Sequence, residues 1–192
     1  MPETVALDDA FPWDDVLAVA RALVGATLFV DGVGGRIVEV EAYREDDPAS
    51  HAYRGPTRRN AAMFGPPGRL YVYRSYGIHW CANVVCGPEG IGMGVLLRAL
   101  EPTAGLELMR ARRGVDDTLL LCAGPGRLTQ ALGLTGDHDG LPLDQQPLRL
   151  VPATAVHDVV SGPRVGISRA ADAPWRYSLS GSAYVSRPRP RA

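Results

Sequence analysis

The chain contains no lysine: all 20 of its Lys+Arg residues are arginine. A lysine nucleophile, and Schiff-base chemistry on a side-chain amine, are therefore excluded. Cysteine is scarce as well. Cys81, Cys86 and Cys122 are odd in number and lack CxxC spacing. That argues against a disulfide scaffold or a zinc ribbon and reads as buried free thiols in a reducing compartment. No apolar run approaches the roughly 20 residues that span a bilayer, so no membrane association is expected. The start, MPETVALDDAFPWDD, is acidic and has no apolar h-region. No secretory signal is visible, so a cytoplasmic protein is expected, nucleoid-associated if the source is bacterial.

What is present describes an ordinary soluble globular chain. It has 192 residues, 46% hydrophobic and 21% charged, enough for one sizeable core and one domain. Its formal charge is only −1, but the charges are segregated. Residues 1–20 hold Glu3, Asp8, Asp9, Asp14 and Asp15 and no base, while residues 48–88 hold Arg54, Arg58, Arg59, Arg69 and Arg74 and no acid. The tail adds Arg187, Arg189 and Arg191. This distribution suits a nucleic-acid partner, although a solvated basic face explains the charge alone equally well.

The patterning predicts α+β architecture. WDDVLAVARALV (13–24) carries Val16, Leu17, Ala20, Leu23 and Val24 on one helical face, with Gly25 as a stop. RIVEVEAY (36–43) reads as a strand, GVGG (32–35) as a hairpin turn, and the Pro/Gly-rich 44–68 as loop. RLYVYRS (69–75) and IHWCANVV (78–85) read as a hairpin around Tyr76-Gly77. GVLLRAL (94–100) is a further strand, 104–113 and 126–132 are helices, and short strands are expected near 164–168 and 176–186. The sum is a curved antiparallel sheet with a protruding β-hairpin and several flanking helices, ordered from about 13 to 186 with a frayed 187–192 tail.

Chemistry concentrates in a few places. Glu39 and Glu41 lie two apart on one strand face, and a carboxylate on an apolar strand is costly unless it is paired or functional. Arg98, in the apolar strand LLRAL, is a natural partner. A buried Glu–Arg pair can be purely structural, or Glu41 can serve as a general base for water with Arg98 holding it. Tyr43, Tyr53, Tyr71, Tyr73 and Tyr76 are five of the seven tyrosines and interleave with arginines, a mixture suited to stacking bases and meeting phosphates. Tyr71 and Tyr73 share a strand face, where core packing is the commoner fate, but Tyr76 at a hairpin tip has little core to join. GPGR (124–127) opens a helix and could receive a phosphate, though Gly-Pro-Gly is also a plain turn.

Taken together, RIVEVEAY, the downstream His51, RRNAAMFGPPGRLYVYRSYGIHWCANVV (58–85), GVLLRALEP (94–102) and CAGPGRLTQALGL (122–134) resemble the alkyladenine, or 3-methyladenine, DNA glycosylases of the mammalian type. The likeness runs in order from about residue 13 to 186. It implies one mixed α/β domain without metal or cofactor, a monomer whose partner is duplex DNA bearing damaged purines. It implies a hydrolase that everts the damaged nucleotide and cleaves its N-glycosidic bond. Glu41 would match the water-activating carboxylate, with Arg98 and the Val165 carbonyl as further water contacts. Tyr43, His51 and Tyr73 would sandwich the base, with the His51 backbone N–H on the purine 6-position, and Asn83 would crowd a guanine 2-amino group. Tyr76 would fill the gap in the duplex, and Arg59, Arg69, Arg74 and the helix start at Gly126-Arg127 would hold phosphates. Ile78, His79 and Trp80 depart from the family pattern beside Tyr76. Three rival readings follow from the residues: a lyase acting through the Pro2 amine, a non-catalytic nucleic-acid-binding module on the same framework, and the Arg/Tyr stretch as an interaction surface for protein.

Overall fold

The computed structural model describes residues 7–187. One antiparallel sheet carries the fold. Its central strand is β2 (Val33–Tyr43), paired along one edge with β5 (Met93–Ala104). The other edge of β2 is shared, first by β1 (Thr27–Val30) and then by β8 (Arg176–Leu179). The path continues outward from β5 to β4 (His79–Cys86) and β3 (Leu70–Ser75), and from β1 to β6 (Leu148–Val151). The short β7 (Val159–Gly162) pairs with β8.

Helices close one side. α1 (Leu7–Ala10) precedes α2 (Val16–Leu23), whose first N–H groups are capped by the Asp15 carboxylate at 2.9 and 3.2 Å. Its buried stripe of Val16, Val19, Ala20 and Leu23 joins Ile37, Leu97 and Leu100 in the main core. α3 (Leu106–Arg113), α4 (Thr118–Leu121) and α5 (Pro125–Leu132) cover β4 and β5 and bury Met109, Leu121, Leu128 and Leu132. Cys81, Cys86 and Cys122 are all buried and free. Among the described residues no helix is long and apolar enough to cross a membrane.

Two bulges between β2 and β5 position the site. Ile37 and Val40 both face the main core although they are three residues apart, and so do Leu97 and Leu100. Each strand thus places two successive residues on the opposite face: Val38 and Glu39 on β2, Arg98 and Ala99 on β5. A bulge is the ordinary device for re-aiming a side chain without breaking a sheet. Here it brings Arg98 to Glu39 and Glu41.

Several boundaries differ from the sequence expectation. The turn before β2 is Asp31-Gly32, with φ of 48° and 79°, and GVGG mostly belongs to the strand. Gly34 and Gly35 are there because β-carbons would strike the carbonyl oxygens of Leu28 and Glu101 at 2.0 and 2.1 Å. No strand forms at 164–168, since Pro163 and Gly166 (φ 76°) turn the chain, and the strand lies earlier at β7. The strand expected to 186 ends at Leu179, before a turn at Gly181 (φ 70°). The helix expected from 104 starts at Leu106, after Gly105 (φ 72°). β1, β6 and α4 are too short for periodicity to mark them. Of the tail expected to fray, residues 188–192 lie outside the described part.

Candidate functional site

A cleft of about 460 Å³ opens between the β3–β4 hairpin and the loops after β2 and β7. Glu41, Tyr43, His51, Tyr73, Asn83 and Val165 line it, together with Arg59, Arg74 and Tyr76 nearer the rim. These residues span 41 to 165 in sequence, and the antiparallel sheet gathers them.

Glu41 is fully buried from outside solvent yet forms part of this wall. Every contact it makes is a donor to its carboxylate. The Val165 N–H donates to Oε1 at 2.7 Å, Arg98 Nη1 approaches Oε1 at 3.2 Å, and the Tyr43 hydroxyl donates to Oε2 at 2.9 Å. Three donors thus converge on one carboxylate, each aimed at an oxygen lone pair. At Val165 the observed contact is through the N–H, one atom group away from the carbonyl singled out by the sequence.

Behind Glu41 lies a second carboxylate. Glu39, also fully buried, accepts from Arg98 Nε at 3.1 Å, Arg176 Nε at 2.6 Å, and the Ser186 N–H and hydroxyl at 2.6 and 2.9 Å. Two carboxylates and two guanidiniums thus form a neutral buried cluster, in which Arg98 bridges both acids. A buried charge survives only when so paired. Glu39→Gln is expected to lower thermal stability. It should also slow substrate turnover about tenfold through a misplaced Arg98. Parallel melting curves and single-turnover rates check this, and an unchanged rate at lowered stability would reduce Glu39 to a structural role.

The aromatic wall is tightly arranged. The Tyr71 and Tyr73 rings stack with centroids 5.4 Å apart, and His51 meets Tyr73 edge-on at 4.4 Å. His51 Nδ1 lies 3.2 Å from the Tyr71 hydroxyl. Partial burial, with Arg59 nearby as a lesser cause, pushes the His51 imidazole below its ordinary pKa, so the ring is neutral at neutral pH. Burial, with Glu41 beside it, pushes the Tyr43 phenol far up, and burial pushes Tyr71 to about 12. All three phenols of the slot therefore stay protonated donors, Tyr73 included. The Asn83 Nδ2 donates to the Tyr71 carbonyl at 3.2 Å, which leaves its Oδ1 for the cleft. Asn60 Nδ2 donates to the His51 carbonyl at 2.9 Å and braces the loop.

The rim is exposed. Tyr76 is 94% accessible at the hairpin tip and Ile78 67%. Tyr76 and Gly77 both have positive φ, 50° and 68°. A tyrosine in the left-handed region is uncommon and costs energy, which points to a use for that side chain at that place. The Arg74 guanidinium lies 5.6 Å from the Trp80 ring centroid. The start of α5 abuts the hairpin: a β-carbon on Gly126 would lie 2.9 Å from His79, and Pro125 lines the cleft. Arg127 is exposed, with Nη1 3.5 Å from the Ala123 carbonyl. Arg69 is not brought to the cleft. It sits at the far end of β3 and donates to the Gly140 carbonyl at 2.9 Å.

Sequence reasoning missed Arg164 and Asp47, which ion-pair wholly buried behind Tyr43, and Arg176 and Ser186 behind Glu39. Arg164 adjoins Val165, but nothing in RVG names a partner at position 47. Among the described residues no group of three or more His, Cys, Asp or Glu is placed to hold a metal ion.

The family model of the methylpurine-DNA glycosylases matches residues 10–183. A protein of Nitrosospira multiformis is 61% identical over 170 residues, 88% of each chain, and bears the name "Putative 3-methyladenine DNA glycosylase". Proteins of the same name from a Rhodopseudomonas palustris strain and from Agrobacterium fabrum are 62% and 58% identical. Their matches cover 88% and 90% of this chain, and 85% and 88% of theirs. These matches define the class, a DNA glycosylase of DNA repair. The chain belongs to the methylpurine-DNA glycosylase family.

Proposed function

We propose that this protein removes damaged purines, 3-methyladenine and 7-methylguanine foremost, from duplex DNA by hydrolysing the N-glycosidic bond. Hypoxanthine and ethenoadenine are further candidates. The single observation that carries the reading is the placement of Glu41 in the wall of a cleft whose neighbouring walls are Tyr43, His51 and Tyr73. A damaged nucleotide everted from the stack enters that slot. The base lies among the three rings, with the His51 backbone N–H on its 6-position and Asn83 against its 2-position. Glu41, held by Arg98 and the Val165 N–H, takes a proton from a water that attacks C1′, and the Val165 carbonyl is a further contact for that water. The bond from C1′ to the ring nitrogen breaks as the new C–O bond forms, and the electron pair leaves with the base. A methylated, cationic purine leaves neutral and needs no acid. The carboxylate also stabilises positive charge developing on the sugar. An abasic site remains.

Tyr76 fills the gap in the duplex, and Arg59, Arg74, the Gly126 backbone and Arg127 meet phosphates. The protein works as a monomer. The test is release of free base from duplexes carrying one lesion each. Release of 3-methyladenine and 7-methylguanine is expected, with binding that weakens about 10²-fold between 50 and 200 mM salt if about four phosphates are engaged. A protein that binds such duplexes with steep salt dependence but releases no base is a binding module on the same framework. A borohydride-trapped DNA adduct would instead assign the chemistry to an amine.

A further inference from the structure

Behind the slot stands a stack of alternating rings and cations. The Arg164 guanidinium lies 4.6 Å from the Tyr43 ring centroid and 5.0 Å from that of Trp175, and Arg44 lies 5.7 Å from Trp175 on the outside. Tyr43 lines the cleft and Arg164 does not, so the cation occupies the face of the ring turned away from the slot. Its side chain is fully buried. It is ion-paired to Asp47 through both terminal nitrogens and donates to the Ala42 carbonyl at 3.0 Å. A buried ion pair is rarely the most stabilising filling for such a space, and an apolar pair packs as well. Its position suggests an electrostatic use.

A cation over one face of an aromatic ring draws on the same π density that the other face offers to a guest. A base in van der Waals contact with the open face of Tyr43 sits about 8 Å from the Arg164 charge. At that distance a positively charged purine is repelled, and the repulsion is offset by Asp47 only while the pair is intact. A neutral purine feels little of either. Resting on the base-release reading above, we propose that the Arg164–Asp47 pair sets how strongly the slot favours cationic over neutral purines. Arg164 is a positioning residue that acts through the Tyr43 ring.

The experiment compares single-turnover release of 7-methylguanine, a cation in DNA, with that of neutral hypoxanthine. Asp47→Asn keeps the acceptor for the Ala49 N–H (2.9 Å) but uncovers the guanidinium. It is expected to slow 7-methylguanine release about tenfold and to leave hypoxanthine release within about twofold. The double variant Arg164→Met/Asp47→Asn removes both charges and is expected to restore 7-methylguanine release to the wild-type rate or above. A pair that merely braces the loop predicts the opposite: both substrates fall together, and the double variant is worse than the single. That pattern overturns the proposal. Where wild type releases no hypoxanthine, recovery or further loss of 7-methylguanine release in the double variant decides alone. If Asp47→Asn does not fold, Arg164→Gln carries the test. Removing the cation should raise 7-methylguanine relative to hypoxanthine release, or raise 7-methylguanine release itself where hypoxanthine gives no signal, and no change overturns the proposal. Wild type that releases neither base sinks the base-release reading itself, a result distinct from release without charge discrimination.

Discussion

Glu41→Gln is expected to abolish base release, by about 10³-fold or more in single-turnover rate, while binding to damaged duplex stays within a few-fold of wild type. The size of the loss follows from what the substitution removes. Glutamine has the shape of glutamate but cannot accept a proton from water, and a positioned general base contributes roughly 10²–10⁴-fold. It also removes the negative charge that would steady a sugar becoming positive at C1′. The binding surface is otherwise spared, because Glu41 reaches the cleft from a buried position and its neighbours keep partners. A glutamine oxygen can still accept from the Val165 N–H, and Arg98 retains Glu39 at 3.1 Å. The buried cluster gains one unbalanced positive charge, so a stability loss on the order of 1–3 kcal/mol is expected. Retained duplex binding is the control that separates lost chemistry from lost fold. Excision at the wild-type rate by this variant would remove Glu41 from the mechanism.

The parts of this site that could be read from the chain are those in which local pattern and chemistry coincide. Glu39 and Glu41 stood out because two carboxylates in a β-branched run contradict burial unless they have work or partners. Arg98 stood out for the same reason in LLRAL. The Tyr71/Tyr73 alternation gave their common face, and the two rings do stack, although Tyr71 is itself nearly buried at 2% exposure. The unread parts are long-range. Arg164 meets Asp47 across 117 residues, and Arg176 meets Glu39 across 137. No periodicity encodes which acid a loop arginine will find. The paired bulges were equally hidden, since a bulge shifts alternation by one residue and looks like noise in a single sequence. Short strands such as β1 and β6, four residues each, carry too little pattern to separate from loop.

The hairpin tip gives the second large effect. Tyr76→Asn is expected to reduce single-turnover release from duplex by about ten- to a hundredfold while leaving the melting temperature unchanged or slightly higher. The two halves of that expectation have separate causes. On the folded side, Tyr76 is 94% exposed, so its ring contributes little to the core, and its φ of 50° lies where asparagine is more at ease than tyrosine. Replacing it therefore relieves strain and loses no packing. On the DNA side, eversion of a nucleotide costs a few kcal/mol. A ring that stacks in the vacated space returns about 1–3 kcal/mol of it. Without that return, fewer nucleotides occupy the slot at any moment, and the rate falls by the same factor. Tyr76→Phe keeps the stacking surface and should keep most of the activity, which separates ring from hydroxyl. Ile78, 67% exposed two residues on, can supply part of the filling, so the Tyr76→Asn/Ile78→Ser pair should fall further than Tyr76→Asn alone. If Tyr76→Asn excises at the wild-type rate from a fully paired duplex, the left-handed tyrosine at the tip has no part in holding the gap open.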